Sequence, residues 1–396
     1  MKRKKLLLHL IFLSFVLFLS CKNSGKKEKA SSYNYDLEIS TSNDLKMPIN
    51  EDTEFRFSAL FPYYDKSGKE YLTFSSFKNN SILFYDFNTS EYLFDVKLDL
   101  EGPNGVGKMN GYHIEDLNNI YITSYQKLGL VKVDTTGTLK QFIEYGKTNN
   151  DHNVVPSYTS TSFDYKPIII KNNIIYITQK PTQFSGIAET PVSVAIDTSS
   201  NTIKELPFRF PNLITDEELM TMLIGVGDFS RDFNGKQFIY SFYMDENIYI
   251  TDIETDEEIK IPIKSKYINK LIFRKITGSL SNAHKTLMES SYYGNLLYDR
   301  YRNVYYRFAR IGAEPPSENT SQFSEIFYSG SVQFSVIILD ENFNIIGETL
   351  FPKYTYNPTI AFVHKNGLYI SDSHILNPSF DENTLSFKCF TLKEKR

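Results

Sequence analysis

The most constraining feature of the sequence is a strand-rich unit that recurs from about residue 35 onward. In each copy an Asn- or Gly-containing turn precedes a strand with bulky residues at alternate positions. A second apolar strand follows and ends in Asp, before a polar turn and a return strand. The clearest copy is NNIYITSYQKLGLVKVDTTGTLKQFIEYG, from Asn118 to Gly146. Apolar residues at every second position predict strands, so we expect an all-β fold.

Six such units can be recognised, and five of them carry a turn aspartate: Asp86, Asp134, Asp197, Asp252 and Asp340. Four-stranded units that repeat about every 40–50 residues are typical of β-propeller blades. We therefore predict one domain over residues 33–396, a six-bladed β-propeller with four-stranded antiparallel blades. The last unit stops after its third strand, and YNYDLEIS from Tyr33 is predicted to supply its outer strand and close the ring. The alternative is a pair of β-sandwich domains with a boundary near the middle of the chain.

Two insertions between units have helical patterns. Thr215 with Glu218 forms a capping box ahead of LMTMLIG, and SNAHKTLMES from Ser281 to Ser290 indicates a second short helix. Both helices either cover one mouth of the ring or are packing decoration.

The N-terminus has the pattern of a lipoprotein leader. Basic residues precede an apolar stretch from Leu6 to Leu19, which is shorter than a membrane span and typical of a secretory signal. It ends in Ser20-Cys21, which resembles the bacterial lipobox, and a polar, Lys-rich segment follows. We predict a signal peptide over 1–20, lipidation of Cys21 and a flexible tether over 21–32. The alternative is an uncleaved N-terminal anchor with an incidental Cys.

The residues after the cysteine indicate where the lipoprotein would lie. Lys22 stands where a retention Asp would direct the protein to the inner membrane, so we expect an outer-membrane lipoprotein. The Lys-rich tether differs from the acidic run that directs some lipoproteins to the cell surface. The expected orientation is therefore toward the periplasm.

The second unit resembles an NHL-type blade. Gly102-Pro103, Gly129, Val133-Asp134 and Gly137 occupy the places of the Gly-Pro loop, the strand glycine, the apolar-Asp end and the turn glycine of that pattern. As a whole the chain is similar to TolB-like six-bladed propeller lipoproteins of unknown function from Gram-negative bacteria. This resemblance implies a fold and a location and no reaction, because propellers host many unrelated activities.

Composition and motifs exclude several function classes. The formal net charge of −4 lacks the basic excess that nucleic-acid binding needs. Two cysteines form no disulfide framework, the histidine spacing fits no zinc pattern, and no H-E-x-x-H or G-x-S-x-G motif occurs. We therefore predict no catalytic residues, no metal site and no cofactor.

Six residues are candidates for binding a ligand. Arg307 shares a strand face with Tyr305, and Arg231 lies beside two aspartates. Each arginine either pairs with a carboxylate between blades or points into the central channel, where it could clamp a carboxylate or sulfate. The histidines are either parts of a site or ordinary hydrogen-bonded side chains. The candidates are Arg231, Arg307, Tyr305, His113, His364 and His374.

These observations favour a non-catalytic binding or scaffold lipoprotein of the cell envelope. We expect a monomer anchored to the membrane by lipid, with an envelope protein or a glycan as partner and no nucleic-acid partner. The alternative is a polysaccharide hydrolase or lyase, or a metal-dependent lactonase. It requires acidic residues that converge at one mouth, such as Glu115 and Asp116 with Asp228 and Asp232.

Overall fold

The computed structural model describes residues 33–50, 59–154, 166–179, 189–213 and 227–395, apart from positions 254, 256, 273, 276, 277, 317–321 and 331. The predicted signal peptide, Cys21, the tether and the helix predicted after Thr215 lie outside the described residues. From Tyr33 to Arg396 the chain forms one compact unit. In its described part, no helix is both long and apolar enough to cross a bilayer.

Four separate antiparallel sheets of four strands each occur in the described part of the chain. The first contains β3 (Leu60–Tyr64), β4 (Glu70–Ser76), β5 (Ser81–Asp86) and β6 (Tyr92–Lys97), and the second contains β7 (Met109–Asp116), β8 (Asn119–Ser124), β9 (Gly129–Val133) and β10 (Leu139–Glu144). The third contains β11 (Ile169–Lys171), β12 (Ile174–Thr178), β13 (Ser193–Asp197) and β14 (Thr202–Glu205). The fourth contains β15 (Phe229–Phe233), β16 (Gln237–Phe242), β17 (Asn247–Asp252) and β18 (Glu258–Pro262).

The remaining strands form one nine-stranded sheet. Its order is β19 (Tyr292–Asp299), β20 (Val304–Ile311), β21 (Gln333–Leu339), β22 (Ile345–Leu350), β1 (Tyr35–Ile39), β25 (Thr384–Glu394), β24 (Gly367–Ser371) and β23 (Asn357–His364), and β2 (Leu45–Pro48) also pairs with β25. The end strands β19 and β23 contact each other, so this sheet nearly closes on itself.

The prediction of six separate blades is wrong. The all-β, propeller-like arrangement is present, but it consists of four separate sheets and the nine-stranded sheet. The physical reason is β1, which pairs antiparallel with β25 over five residue pairs and parallel with β22 at Tyr35 and Gly347. One strand from the start of the domain thereby joins two groups of strands that the sequence predicts as separate blades. The structure also differs from the alternative prediction, a pair of β-sandwich domains.

The first strands of the sheets lie next to one another around a common centre. Contacts join β15 to β19, β19 to β23, β23 to β3 and β3 to β7, so the last sheet returns to the first. Hydrophobic cores fill the spaces between neighbouring sheets. In the core that joins the last sheet to the first, Leu72 and Phe74 of β4 pack with Phe362 of β23 and Phe387 of β25.

The repeated aspartates stabilise hairpin turns, as their pattern indicates. Asp86 accepts the Asn88 backbone N–H at 2.9 Å, and Asp134 accepts that of Thr136 at 2.9 Å. Such Asx turns supply hydrogen bonds where the chain leaves a strand. Asp197 and Asp340 act in the same way.

Two short helices are present in the described chain, α1 (Leu280–Met288) and α2 (Gln322–Tyr328). The first confirms the helix expected over 281–290, and its N-cap Ser279 accepts the Asn282 backbone N–H at 3.3 Å. The two helices pack together, with His284 hydrogen-bonded to Ser324 at 2.8 Å and stacked on Phe327 at 4.6 Å between ring centroids.

Substitution of Leu37 on β1 tests how much this strand stabilises the closed arrangement. The Leu37 side chain is buried in the core of the nine-stranded sheet, whereas Glu38 beside it is exposed. Leu37→Ala should lower the free energy of unfolding by about 2–4 kcal/mol, because it leaves a cavity in a packed core. Glu38→Ala is the matched control and should change it by less than about 0.5 kcal/mol.

Urea unfolding of a chain that begins at Ser31 provides the measurement. A chain that begins at Asn43 lacks β1 and leaves one edge of β25 without its partner, so it should unfold at a much lower urea concentration. Unchanged stability of both the Leu37→Ala chain and the shortened chain would contradict the role given to β1.

Candidate functional site

A cavity of about 680 Å³ lies where the first strands of the sheets end. Residues of β3, β7, β15, β19 and β23 line it, together with the segment that leads into β11 and β11 itself. Because all of these strands belong to different parts of the chain, the cavity exists only when the sheets are assembled around it. Its charged and aromatic lining residues include His113, Glu115, Lys171, Asp232, Arg300, Tyr64, Tyr298 and Tyr301.

His113 lines the cavity without a hydrogen bond to any described residue. Its ring contacts Phe61 edge to face, with the ring centroids 5.3 Å apart, and is partly exposed. Burial lowers the pKa of His113 to about 4. The imidazole is therefore neutral at pH 7 and offers one donor and one acceptor to a ligand.

Two carboxylates line the same cavity. Asp232 accepts the backbone N–H groups of Tyr298 at 2.6 Å and of Phe233 at 2.7 Å. Burial raises the pKa of Asp232 to about 6, while these hydrogen bonds and the Arg300 charge oppose the increase. Glu115 is exposed and accepts the Tyr121 hydroxyl at 3.1 Å.

The four acidic residues named for the enzyme alternative are thus only partly brought together. Glu115 and Asp232 line the cavity, whereas Asp116 and Asp228 are not among its lining residues. Asp116 instead accepts the Asn118 backbone N–H at 2.9 Å and lies 3.5 Å from the Lys66 ammonium group. Across the described residues, no three His, Cys, Asp or Glu side chains are grouped so that they could hold a metal ion.

The charges around the cavity alternate in sign along the sequence of sheets. Glu115, Lys171, Asp232 and Arg300 come from four successive sheets. Lys171 donates to the Gly235 carbonyl at 3.4 Å. Arg300 is exposed, and its guanidinium makes no hydrogen bond within the described part of the chain. The lining therefore carries nearly balanced charge and suits a polar ligand better than a polyanion.

One wall of the cavity consists of tyrosines. The Tyr301 hydroxyl donates to that of Tyr64 at 3.2 Å, and the two side chains remain 44% and 38% exposed. Tyr64 is parallel to the His364 ring, at 5.8 Å between centroids and 8° between planes. Burial and the hydrogen bond from Tyr301 raise the pKa of Tyr64, so its hydroxyl stays protonated.

Arg307 lies away from the cavity, between β20 and the fourth sheet. Its guanidinium donates to the backbone carbonyls of Glu246, Ile263, Asp245 and Asn247 and to the Ser241 hydroxyl, at 2.6–3.2 Å. It also lies 3.6 Å from the centroid of the Tyr293 ring. This fully buried cation therefore joins neighbouring sheets through carbonyl groups, and it forms no ion pair with a carboxylate of the described residues.

Arg231 has an equivalent position between the third and fourth sheets. It donates to Ser193 Oγ at 3.0 Å and to the Pro167 carbonyl at 2.5 Å, and it lies 4.7 Å from the Phe238 ring centroid. Its neighbour Asp232 lines the cavity because successive side chains of a strand point to opposite sides.

The other three candidates are buried outside the cavity lining. The Tyr305 hydroxyl accepts from Asn234 Nδ2 at 2.8 Å. His364 is hydrogen-bonded to Glu70 at 3.1 Å and stacked on Phe87 at 4.0 Å, so it joins the nine-stranded sheet to the first sheet. His374 accepts the Leu376 backbone N–H at 3.1 Å. Of the six candidates, His113 is the one that lines the cavity.

Arg307→Lys should destabilise the protein because a lysine cannot replace five directed hydrogen bonds. Carbonyls left without donors in a buried site cost about 1–3 kcal/mol each, so we expect a loss of about 3–5 kcal/mol of unfolding free energy. Arg300→Lys is the matched control and should leave stability within about 0.5 kcal/mol of the wild type. Equal stability of the two variants in urea unfolding would contradict the structural role of Arg307.

His113→Gln should reduce the sensitivity of the protein to acid. The pKa of His113 is about 4 in the folded state, against an ordinary value of 6.5 for an unburied histidine, so the unfolded chain binds the proton more readily. The stability that neutral His113 contributes is therefore complete above pH 6.5 and is lost as the pH falls toward 4.

Urea unfolding of the wild type and the variant at pH 7 and pH 5 measures this effect. Between pH 7 and pH 5 the free energy of unfolding of the wild type should fall by about 1–2 kcal/mol more than that of His113→Gln. The same pH dependence for both proteins would show that His113 is not protected from protonation.

Comparison with known proteins agrees with this architecture. A crystal structure of a DUF4221 family member from Bacteroides vulgatus is 26% identical and has a TM-score of 0.77, over 92% of this chain and 99% of that chain. A protein from Bacteroides fragilis that is described as exported is 9% identical with a TM-score of 0.53, over 92% of this chain and 96% of that chain. No curated protein matches the chain. The model of a family described as a domain of unknown function, DUF4221, matches residues 36–350, and the chain belongs to this family.

Proposed function

We propose that the protein is a non-catalytic binding lipoprotein of the cell envelope, which takes a small polar ligand into the central cavity. The observation that carries this proposal is the cavity lining. Side chains from every sheet converge there, and two of them, His113 and Arg300, have hydrogen-bonding groups that no described residue uses. A volume of about 680 Å³ is in the range of small-molecule sites.

The lining of this cavity combines apolar and charged groups. Phe61, Ile170 and Val363 contribute partly exposed apolar surface, and the charged groups of Glu115, Lys171 and Arg300 also line the cavity. Ligand sites commonly combine apolar walls with a few polar groups that fix orientation. This combination supports a ligand with both an apolar face and several hydrogen-bonding groups.

The location of the protein is part of the same proposal. A signal peptide over 1–20, a lipid on Cys21 and a tether over 21–32 would hold the folded domain at the outer membrane, facing the periplasm. The support is the basic leader, the short apolar stretch and the lysines after the cysteine. We propose a monomer that binds the membrane through lipid and binds an envelope glycan or protein through the domain.

We infer that the nine-stranded sheet corresponds to two blades of a six-bladed propeller of the TolB-like or NHL-like kind. In support, β19 to β22 pair in chain order, as in each separate sheet, and one parallel residue pair connects them to the other strands. On this interpretation, β23, β24, β25 and β1 form the last blade.

A second candidate function is a hydrolase or lyase that acts on polysaccharide. The observation that favours it is the presence of Glu115, Asp232 and His113 in one cavity. A carboxyl group with a pKa near 6 is suited to general acid catalysis near neutral pH. Release of products from polysaccharides by the wild type, and its loss in Asp232→Asn, would favour the enzyme over the binding protein.

Thermal unfolding with a ligand panel tests the binding function. The chain from Ser31 onward is heated with oligosaccharides, short peptides, divalent metals and a chelator. A ligand present at a hundredfold excess over its dissociation constant should stabilise the folded state by about 2.7 kcal/mol. His113→Ala and Arg300→Ala should reduce this stabilisation and leave the unliganded protein nearly as stable as the wild type.

Lys393→Gln is the matched control, because it removes an exposed charge on β25 that is not part of the cavity lining. It should leave ligand stabilisation unchanged. Failure of every ligand class to stabilise the wild type, or stabilisation that neither cavity variant reduces, would overturn the proposed use of the cavity.

A further inference from the structure

The wall formed by Tyr64 is built as a rigid stacking surface. One face of the ring is parallel to His364, and His364 in turn is stacked on Phe87 at 4.0 Å. The hydroxyl is fixed by Tyr301 at 3.2 Å. The His364 ring lies parallel to Tyr64 and the Tyr301 hydroxyl binds the Tyr64 hydroxyl, so the Tyr64 ring, which is 38% exposed, is positioned before a ligand arrives. A preformed surface of this kind lowers the entropy cost of binding.

Arg300, whose guanidinium has no hydrogen-bond partner among the described residues, lies beside this surface. The charge of Arg300 acts on both the Tyr64 hydroxyl and the Asp232 carboxyl group. The guanidinium fork matches a carboxylate in a bidentate geometry. In contrast, Arg302 next to it is engaged by Asp299 at 2.8 Å and by the carbonyls of His364 and Lys365.

The rest of the lining is suited to hydroxyl groups. Asp232 and Glu115 are acceptors that a sugar hydroxyl can reach with a charge-assisted hydrogen bond, and the neutral His113 both donates and accepts. Two carboxylates in the lining oppose a phosphate or sulfate polyanion. A neutral sugar offers the exposed Arg300 guanidinium only hydroxyl acceptors, whereas a carboxylate can accept two parallel hydrogen bonds from it.

We propose that the ligand of this cavity is an acidic saccharide, whose sugar ring stacks on Tyr64 and whose carboxylate binds Arg300. The inference rests on the proposed binding function and specifies its substrate class. The hydroxyl groups of the same or the next sugar bind Asp232, Glu115 and His113. Tyr301 extends the stacking surface, since 44% of its side chain is exposed.

The experiment uses pairs of oligosaccharides that differ in one charge. The chain from Ser31 onward is applied to an array in which each oligosaccharide containing uronic or sialic acid has a partner with the carboxylate converted to its methyl ester. The best pair is then titrated by calorimetry at 150 mM NaCl. We expect the acid to bind at least ten times more tightly than its ester, which corresponds to one charge-assisted pair.

Three variants test which residues cause the preference for the acid over its ester. Arg300→Gln should weaken binding of the acid at least tenfold and leave binding of the ester unchanged. Tyr301→Ala should weaken the binding of the acid and of the ester to the same extent, because both stack on the same surface. Lys393→Gln removes one positive charge elsewhere and should change neither affinity.

Three other results would each contradict a part of the proposal. If esters bind as tightly as acids and His113→Ala weakens both, the cavity binds a neutral glycan and the acidic class is wrong. If no oligosaccharide binds and a peptide stabilises the protein through the cavity, the saccharide class is wrong and the binding function stands. If acids bind and neither Arg300→Gln nor Tyr301→Ala changes their affinity, the inference fails because the site lies elsewhere.

Discussion

The ring of sheets around the cavity is closed by a sheet in which the start and the end of the domain pair with each other. β25 pairs with β24 on one side, while β1 and β2 cover its other side in two successive stretches. This pairing removes the long free edge that an eleven-residue C-terminal strand would otherwise expose. The first sheet is held to the same region by Glu70, which binds His364 at 3.1 Å and also binds Lys365. Because residues of both sheets line the cavity, its shape depends on these contacts.

Buried arginines fix the positions of neighbouring sheets. A cation removed from water is unfavourable unless its donors are satisfied, and Arg307 satisfies its donors with four carbonyls and a hydroxyl. Burial lowers the pKa of Arg307 and of Arg231 to about 10, so both remain charged at pH 7. Carbonyl partners supply directed hydrogen bonds without adding a second buried charge. The result is a rigid connection at two sheet boundaries, which supports a cavity that exists before ligand binding.

The sequence predicts local features such as strands, turns and a helix, and it does not predict features that depend on how distant parts of the chain pack together. Strand alternation and turn aspartates such as Asp134 are visible in one unit, and the pattern after Ser279 identifies α1. The double pairing of β1 is not visible, because it depends on where the last strand lies. Likewise, parity along β15 does not reveal which side faces the centre, so the sequence leaves open whether Arg231 or Asp232 lines the cavity. Tyr64 and Tyr301 resemble many other tyrosines of the sequence. Tyr64 is the last residue of β3 and Tyr301 follows the end of β19 by two residues, and this similar position is the signal that alignment of the units would use.

Protonation of the cavity begins with Asp232 as the pH falls. Its pKa is about 6 in the folded state against 3.8 without burial, so its contribution to stability falls as the pH rises through this range, opposite in sign to that of His113. The two contributions offset each other between pH 4 and pH 6, and the net stability therefore says little about either group. Ligand binding separates them, because below pH 6 the cavity loses a carboxylate acceptor at Asp232. For an acidic ligand, protonation of Asp232 removes a repulsive charge, which strengthens binding, and also removes charge-assisted hydrogen bonds to hydroxyl groups, which weakens it. A neutral ligand has only the second effect. The affinity of an acidic ligand should therefore depend on pH less steeply than the affinity of a neutral ligand.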